Sequence, residues 1–140
     1  MPRRVAVLEL PTTLEHVWEL LADPAQLAGW WPGINDVEAP DRGLVPGTRW
    51  HLLGSNRPQL FRSPEPSGEL LVVRVERPRL VAWQLLRDRI DIELRLTELD
   101  SGGTEAVLTV EGPPLIGLRR SLPGRALTRL RALCQAGFDP

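Results

Sequence analysis

Apolar positions along this chain recur with helical spacing in two stretches and with strand alternation in several others. Leu14, Val17, Trp18 and Leu21 fall at i, i+3, i+4 and i+7, one stripe of a helix whose other face carries Glu15, His16 and Glu19. Thr12 with Glu15 three residues on fits a capping box, in which the threonine oxygen accepts an orphan backbone N–H and the glutamate reaches back. Asp23 then caps a second short helix, with Pro24 in its first turn and Gln26 three residues from the cap, running to about Ala28. Near the C-terminus Leu118, Leu122, Ala126, Leu130, Leu133, Cys134 and Gly137 lie near one stripe, with Arg119, Arg120, Arg125 and Arg129 away from it. Pro123 and Gly124 interrupt that pattern, which predicts a kink or a short helix followed by a longer one over 123–136.

Residues 3–10 are rich in β-formers and stop at Pro11, so they read as a first strand. After the turn at Trp30, Trp31, Pro32 and Gly33, strands are predicted over 34–39, 48–53, 69–76, 80–86, 90–99 and 104–111. Turn residues separate them, including Pro46-Gly47, Arg77-Pro78-Arg79 and Asp100-Ser101-Gly102-Gly103. Alternation is clearest where Ile90, Ile92, Leu94 and Leu96 share one face and Asp91, Glu93, Arg95 and Thr97 the other, as in a half-buried antiparallel sheet. The same parity assigns as inward Trp50 and Leu52; Leu71, Val73 and Val75; Val81, Trp83 and Leu85; and Ala106, Leu108 and Val110. The order is β, α, α, six β, α: an α+β chain with one long helix to cover the apolar face of its sheet.

Composition narrows the chemistry. A chain of 140 residues is expected to form one domain, spanning 1–140. Cys134 is the single cysteine, which excludes an intrachain disulfide and a cysteine metal cluster and fits a reducing, cytoplasmic setting. Glu9 and Pro11 interrupt the apolar run after Arg3 and Arg4 before it reaches signal-peptide length, so the chain is expected to be soluble and untargeted. The chain has no Lys, which excludes a Schiff-base mechanism. Residues 1–111 hold 12 Arg against 17 acids and residues 112–140 hold 5 Arg against Asp139 alone. The acidic body argues against nucleic acid as a partner. The Arg-rich tail offers membrane contact as a lesser alternative to plain solvation of an outer helix face.

The segments DPAQLAGWWPGINDVEA, PGTRW, VERPRLVAW and GGT together resemble the polyketide cyclase/dehydrase-like branch of the START-like superfamily, across nearly the whole chain. The resemblance implies a helix-grip fold, a seven-stranded antiparallel sheet curled around a C-terminal helix, with a cavity between them that holds hydrophobic small molecules or lipids in relatives. Relatives include cyclases, hydrolases, lipid carriers, hormone receptors and chaperone activators, so the resemblance implies fold more than activity. The Pro123-Gly124 break and the long connection over 56–68 depart from the family's minimal pattern.

An antiparallel meander places Pro32-Gly33, the 54–68 loop, Asp88-Arg89 and the segment 112–114 at one end of the sheet, the expected mouth. The loop carries Leu60 and Phe61 between Arg57 and Arg62 and reads as a lid or as plain surface. The ligand-facing set is then Trp31, Trp50, Leu52, Phe61, Trp83, Leu85, Ile92, Leu94 and Leu108, opposed by Leu122, Ala126 and Leu130; the same residues equally describe a filled core. Trp18 and Trp30 read as packing. His16 on the polar face of its helix and His51 pointing away from the face of Trp50 and Leu52 do not make a metal site, which needs three or four converging ligands; Ser55 lacks a nucleophile elbow, and no cofactor motif is present. Asp36, Arg87, Asp88 and Arg89 at the mouth read as surface charge before they read as acid–base groups. The leading expectation is a protein that binds a small hydrophobic molecule (lipid, polyketide or aromatic). A polyketide cyclase/dehydratase-type enzyme is the alternative, and a protein-interaction domain of chaperone-activator type the third.

Overall fold

The computed structural model describes residues 3–32, 34–38, 44–54, 68–87, 89–112 and 122–136. Seven strands form one antiparallel sheet: β1 (Arg3–Leu10), β2 (Ile34–Glu38), β3 (Arg49–Gly54), β4 (Gly68–Glu76), β5 (Leu80–Leu85), β6 (Ile90–Glu98) and β7 (Thr104–Glu111). Three helices, α1 (Leu14–Ala22), α2 (Pro24–Trp30) and α3 (Leu122–Ala136), complete the helix-grip arrangement. The strand order is β1-β7-β6-β5-β4-β3-β2, a meander from β2 to β7 onto whose free edge β1 folds back.

The helices start where short polar side chains meet orphan backbone N–H groups. The cap of α1 is Thr13, not Thr12: its Oγ1 accepts from the His16 N–H at 3.2 Å. The shift by one residue has a cause in the tertiary structure. The Thr12 carbonyl accepts from Thr104 Oγ1 at 2.9 Å across the start of β7, which draws Thr12 into the interior and leaves its neighbour to cap. Glu15 is exposed and lies 3.7 Å from Arg77, so no capping box closes. Asp23 caps α2 as expected, accepting from the Ala25 N–H at 3.0 Å. That helix continues past Ala28 to Trp30, where the Trp31 N–H donates to the Leu27 carbonyl at 2.8 Å. In α3 the long helix over 122–136 is present, with Pro123 and Gly124 in its first turn, where proline loses no intrahelical hydrogen bond. A short helix before it falls outside the described residues.

One strand reverses the expected parity. Leu70 and Val72 of β4 are buried while Val73 is 52% exposed, so Leu71 and Val73 face outward. The register of β4 against β5 shifts between Val72 and Arg74. This one-residue bulge puts Val75 back on the inner face opposite Val81, so the Leu-Leu-Val-Val run serves both faces in turn. The other strands follow the expected parity. Gln84 and Thr109 point outward, paired with Asp91 and Glu93.

The core is one contiguous cluster between the inner sheet face and the helices. α1 contributes Leu14, Val17, Trp18 and Leu21, and α3 contributes Ala126, Leu127, Leu130 and Cys134, with Leu122 and Leu133 half-buried beside them. The main backbone approaches of α3 are to β1, β7 and α2, and those of α2 are to β2 and α3, so the helices grip the sheet from its two edges inward. The outer face carries ion pairs, Arg49 with Glu69 at 3.1 Å, Arg95 with Glu93 at 3.2 Å and Arg74 with Glu76, all too exposed to add much stability.

Candidate functional site

Antiparallel pairing places side chains of directly opposed residues on the same face, so the inner surface can be read in rows. One row runs Trp50, Leu70, Leu85, Ile90 from β3 to β6. The next runs Val72, Trp83, Ile92, Val110 and Arg4 from β4 to β1, and a third Val75, Val81, Leu94, Leu108 and Ala6. Leu52 lies opposite Gly68 at the end where the 54–68 connection, Arg87 and Gly112 also lie. Space is tight there: a Cβ on Gly68, whose φ is +102°, would sit 3.2 Å from Arg87 Cβ, and one on Gly112 would sit 3.3 Å from Ile90 Cγ1. Glycine lets the strands end close together at this rim.

Eleven of the twelve residues expected to face a ligand lie in the described structure, and they come together. Trp31, Trp50, Leu52, Trp83, Leu85, Ile92, Leu94, Leu108, Ala126 and Leu130 are buried in the one cluster and Leu122 packs against it half-buried. Phe61, with the rest of the expected lid, lies outside the described residues, as do Asp88, Arg119 and Arg120. Trp30, read from sequence as packing, is buried in the core and stands outside the expected ligand-facing set. Its ring centroid is 5.9 Å from that of Trp83 and 5.7 Å from that of Trp31 in an edge-to-face arrangement, so the three indoles run as a chain from the end of α2 onto the sheet. The signal available was its adjacency to Trp31 at a helix end. Leu70 and Val72 were missed through the bulge, and Arg4 because a leading Arg-Arg pair reads as surface.

The polar groups of this interior are few and uneven. The indole Nε1 atoms of Trp50 and Trp83 are buried without a hydrogen-bond partner, and so is Arg4 Nε. Among the described residues no Asp or Glu is buried, whereas half-buried His16 on α1 has its Nε2 atom enclosed. His51 is exposed, paired in register with Glu38 and Glu69 on the outer face, and His16 is half-buried on α1. Asp36 is exposed and accepts from its neighbour's N–H, Val37 N, at 2.8 Å; Arg87 and Arg89 are exposed. No group of three or more His, Cys, Asp or Glu is placed to hold a metal among the described residues. Burial pushes the Cys134 thiol up to about 11 and outweighs a backbone hydrogen bond that pulls it down, leaving it inert at neutral pH. A separate open groove of about 750 Å³ lies at the opposite, tight-turn end, lined in part by Leu8, Leu10, Thr12, Ser101, Gly103 and Arg131.

No helix among the described residues is long and apolar enough to cross a membrane. Solved structures share the fold at low identity. XoxI from Bacillus cereus superposes with a TM-score of 0.72 at 13% identity, covering 100% of both chains. The Aha1 dimer from Colwellia psychrerythraea gives 0.70 at 15%, covering 99% of this chain and 100% of that one. Ms6760 from Mycobacterium smegmatis gives 0.64 at 20%, with 96% and 92% covered. No curated protein matches by sequence. The sequence profile of polyketide cyclase / dehydrase and lipid transport proteins matches residues 1–139, and the chain therefore belongs to that family.

Proposed function

We propose that this protein binds a small hydrophobic molecule, a lipid, polyketide or aromatic compound, between the inner face of the sheet and α3. The observation that carries the reading is the character of that inner layer: three sheet rows built mainly of Leu, Ile, Val and Trp, with Arg4 and Ala6 at the β1 end and Trp30 packed on Trp83, and no buried carboxylate among the described residues. An apolar wall with a few fixed polar groups suits retention of an apolar ligand better than proton-transfer chemistry. The family's description names cyclase/dehydrase activity and lipid transport, both of which handle large apolar molecules. The buried free thiol of Cys134 suits a reducing compartment, in keeping with a cytoplasmic protein.

The test is a thermal-shift and Trp-fluorescence screen of fatty acids, flavonoids, polycyclic aromatics and quinones, with native mass spectrometry of the freshly purified protein. A ligand at about 100 times its Kd stabilises by roughly 2.7 kcal/mol, which raises the Tm of a domain of this size by roughly 5 to 15 °C. At least one compound should shift the melt and quench fluorescence, and Trp83→Phe should weaken the quenching. A mass spectrum of ligand-free protein together with a flat screen would overturn the reading.

A further inference from the structure

Two indole N–H groups in one buried layer are left without acceptors. Trp50 is 0% exposed and Trp83 2%, and neither Nε1 has a hydrogen-bond partner. Indole Nε1 is a donor only, and buried Trp N–H groups ordinarily find an acceptor, because an unmet donor retains the full penalty of its lost water. Phe or Leu at either position would supply apolar surface without that penalty. The two donors sit on β3 and β5, on either side of β4, whose inward Leu70 and Val72 stand opposite them and have no acceptor to offer. Arg4 Nε, in the same inward row as Trp83, is a third buried donor, and no buried carboxylate among the described residues competes for any of them.

We propose that the molecule held against this face is not a plain hydrocarbon but an apolar body bearing an oxygen acceptor, a carbonyl or carboxylate, that receives the N–H groups of Trp50 and Trp83. The inference rests on the ligand-binding reading above and narrows it to one chemical class. The protein then discriminates by acceptor content as well as by shape: a hydrocarbon of the right size leaves both donors unmet, whereas an oxygenated analogue satisfies them. A site built around buried donors rejects the analogue without the acceptor more strongly than a hydrophobic pocket rejects a change in size.

The experiment compares fluorene with fluorenone and fluorene-2-carboxylate, three probes with one carbon skeleton. Affinities are measured by calorimetry and normalised by each probe's octanol–water distribution at the assay pH. At least one oxygenated probe should exceed fluorene by about tenfold, and the advantage should shrink severalfold in Trp50→Phe and in Trp83→Phe. In the unaltered protein labelled with ¹⁵N, two of the five tryptophan indole N–H protons should move downfield with the favoured probe and not with fluorene. This readout holds even where a variant fails to fold, and comparison at constant skeleton cancels ring-current shifts. Equal normalised binding of all three probes, or equal indole shifts with fluorene, would overturn the acceptor requirement while leaving ligand binding in place. No binding by these probes or by any compound of the wider screen would overturn both.

Discussion

Alkaline pH should destabilise this protein through a single thiol. Cys134 is 0% exposed on the buried stripe of α3, and its ionisation is pushed from the ordinary thiol value of 9.0 up to about 11, chiefly by burial. The neutral thiol is the form that the core accepts. Below pH 9 both native and unfolded chains hold the proton and the stability is intact; as pH rises from 9 to 11 the unfolded chain loses the proton first, and stability falls until the native thiol also ionises. Two pH units amount to on the order of 3 kcal/mol, most of it gone by pH 10.5. Such a loss corresponds to a fall in Tm of roughly 5 to 8 °C. What makes the measurement clean is composition: the chain has no Lys and 0 Tyr, the side chains that ordinarily titrate alongside a thiol. Urea melts under reducing conditions at pH 8, 9, 10 and 10.5 should show the decline for the native chain and none for Cys134→Ala, whose baseline starts lower because of the smaller side chain. A decline of the same size in the variant, or a native midpoint unchanged at pH 10.5, would refute the assignment of the slope to this buried thiol.

Leu94→Asp and Leu108→Asp should each unfold the domain at 25 °C, since an unpaired carboxylate at a fully buried, directly opposed pair costs several kcal/mol, whereas Arg95→Asp on the outer face should change the circular-dichroism melt little. Thr104→Val should cost about 1 to 2 kcal/mol by stranding the Thr12 carbonyl, and Thr104→Ser should recover most of it in the same denaturation assay. Arg125 and Arg129 lie on the exposed face of α3, so sedimentation with anionic and neutral vesicles should show no salt-sensitive binding confined to the anionic ones if their role is solvation alone.

The elements whose local signals agreed with one another were legible in the sequence. Strands β6 and β7 alternate cleanly, their turn carries Gly102 with φ +90°, and the observed inner face of the pair is the expected one. Where two neighbouring residues had the same chemistry, periodicity could not choose between them. Thr12 and Thr13 both suit a cap, and the choice is made by a hydrogen bond from Thr104, some ninety residues away in sequence. In β4 four consecutive aliphatic residues hide the parity, and a bulge then changes it midway, a feature set by the match to β5 rather than by local preference. Most of the candidate wall was legible because inward parity alone selects it. What was not legible is that two of its tryptophans have no partner for their N–H, since satisfaction of a donor depends on the geometry of every neighbour.

Strand β1 is made first and can be used only near the end. Its partner is β7, with Leu8 opposite Ala106 and Leu10 opposite Thr104, and among the described residues it has no other strand neighbour. Bringing the two together closes a loop of roughly ninety residues, against about five for the β6–β7 hairpin, an entropic difference of roughly 2 to 3 kcal/mol. During synthesis the β2-to-β7 meander can zip by short-range steps while β1 waits, and until it docks β7 presents an open edge and α3 lacks one of the strands that it packs against. The nascent chain is thus most exposed to edge-to-edge association in the interval between the completion of β7 and the return of its own N-terminal strand.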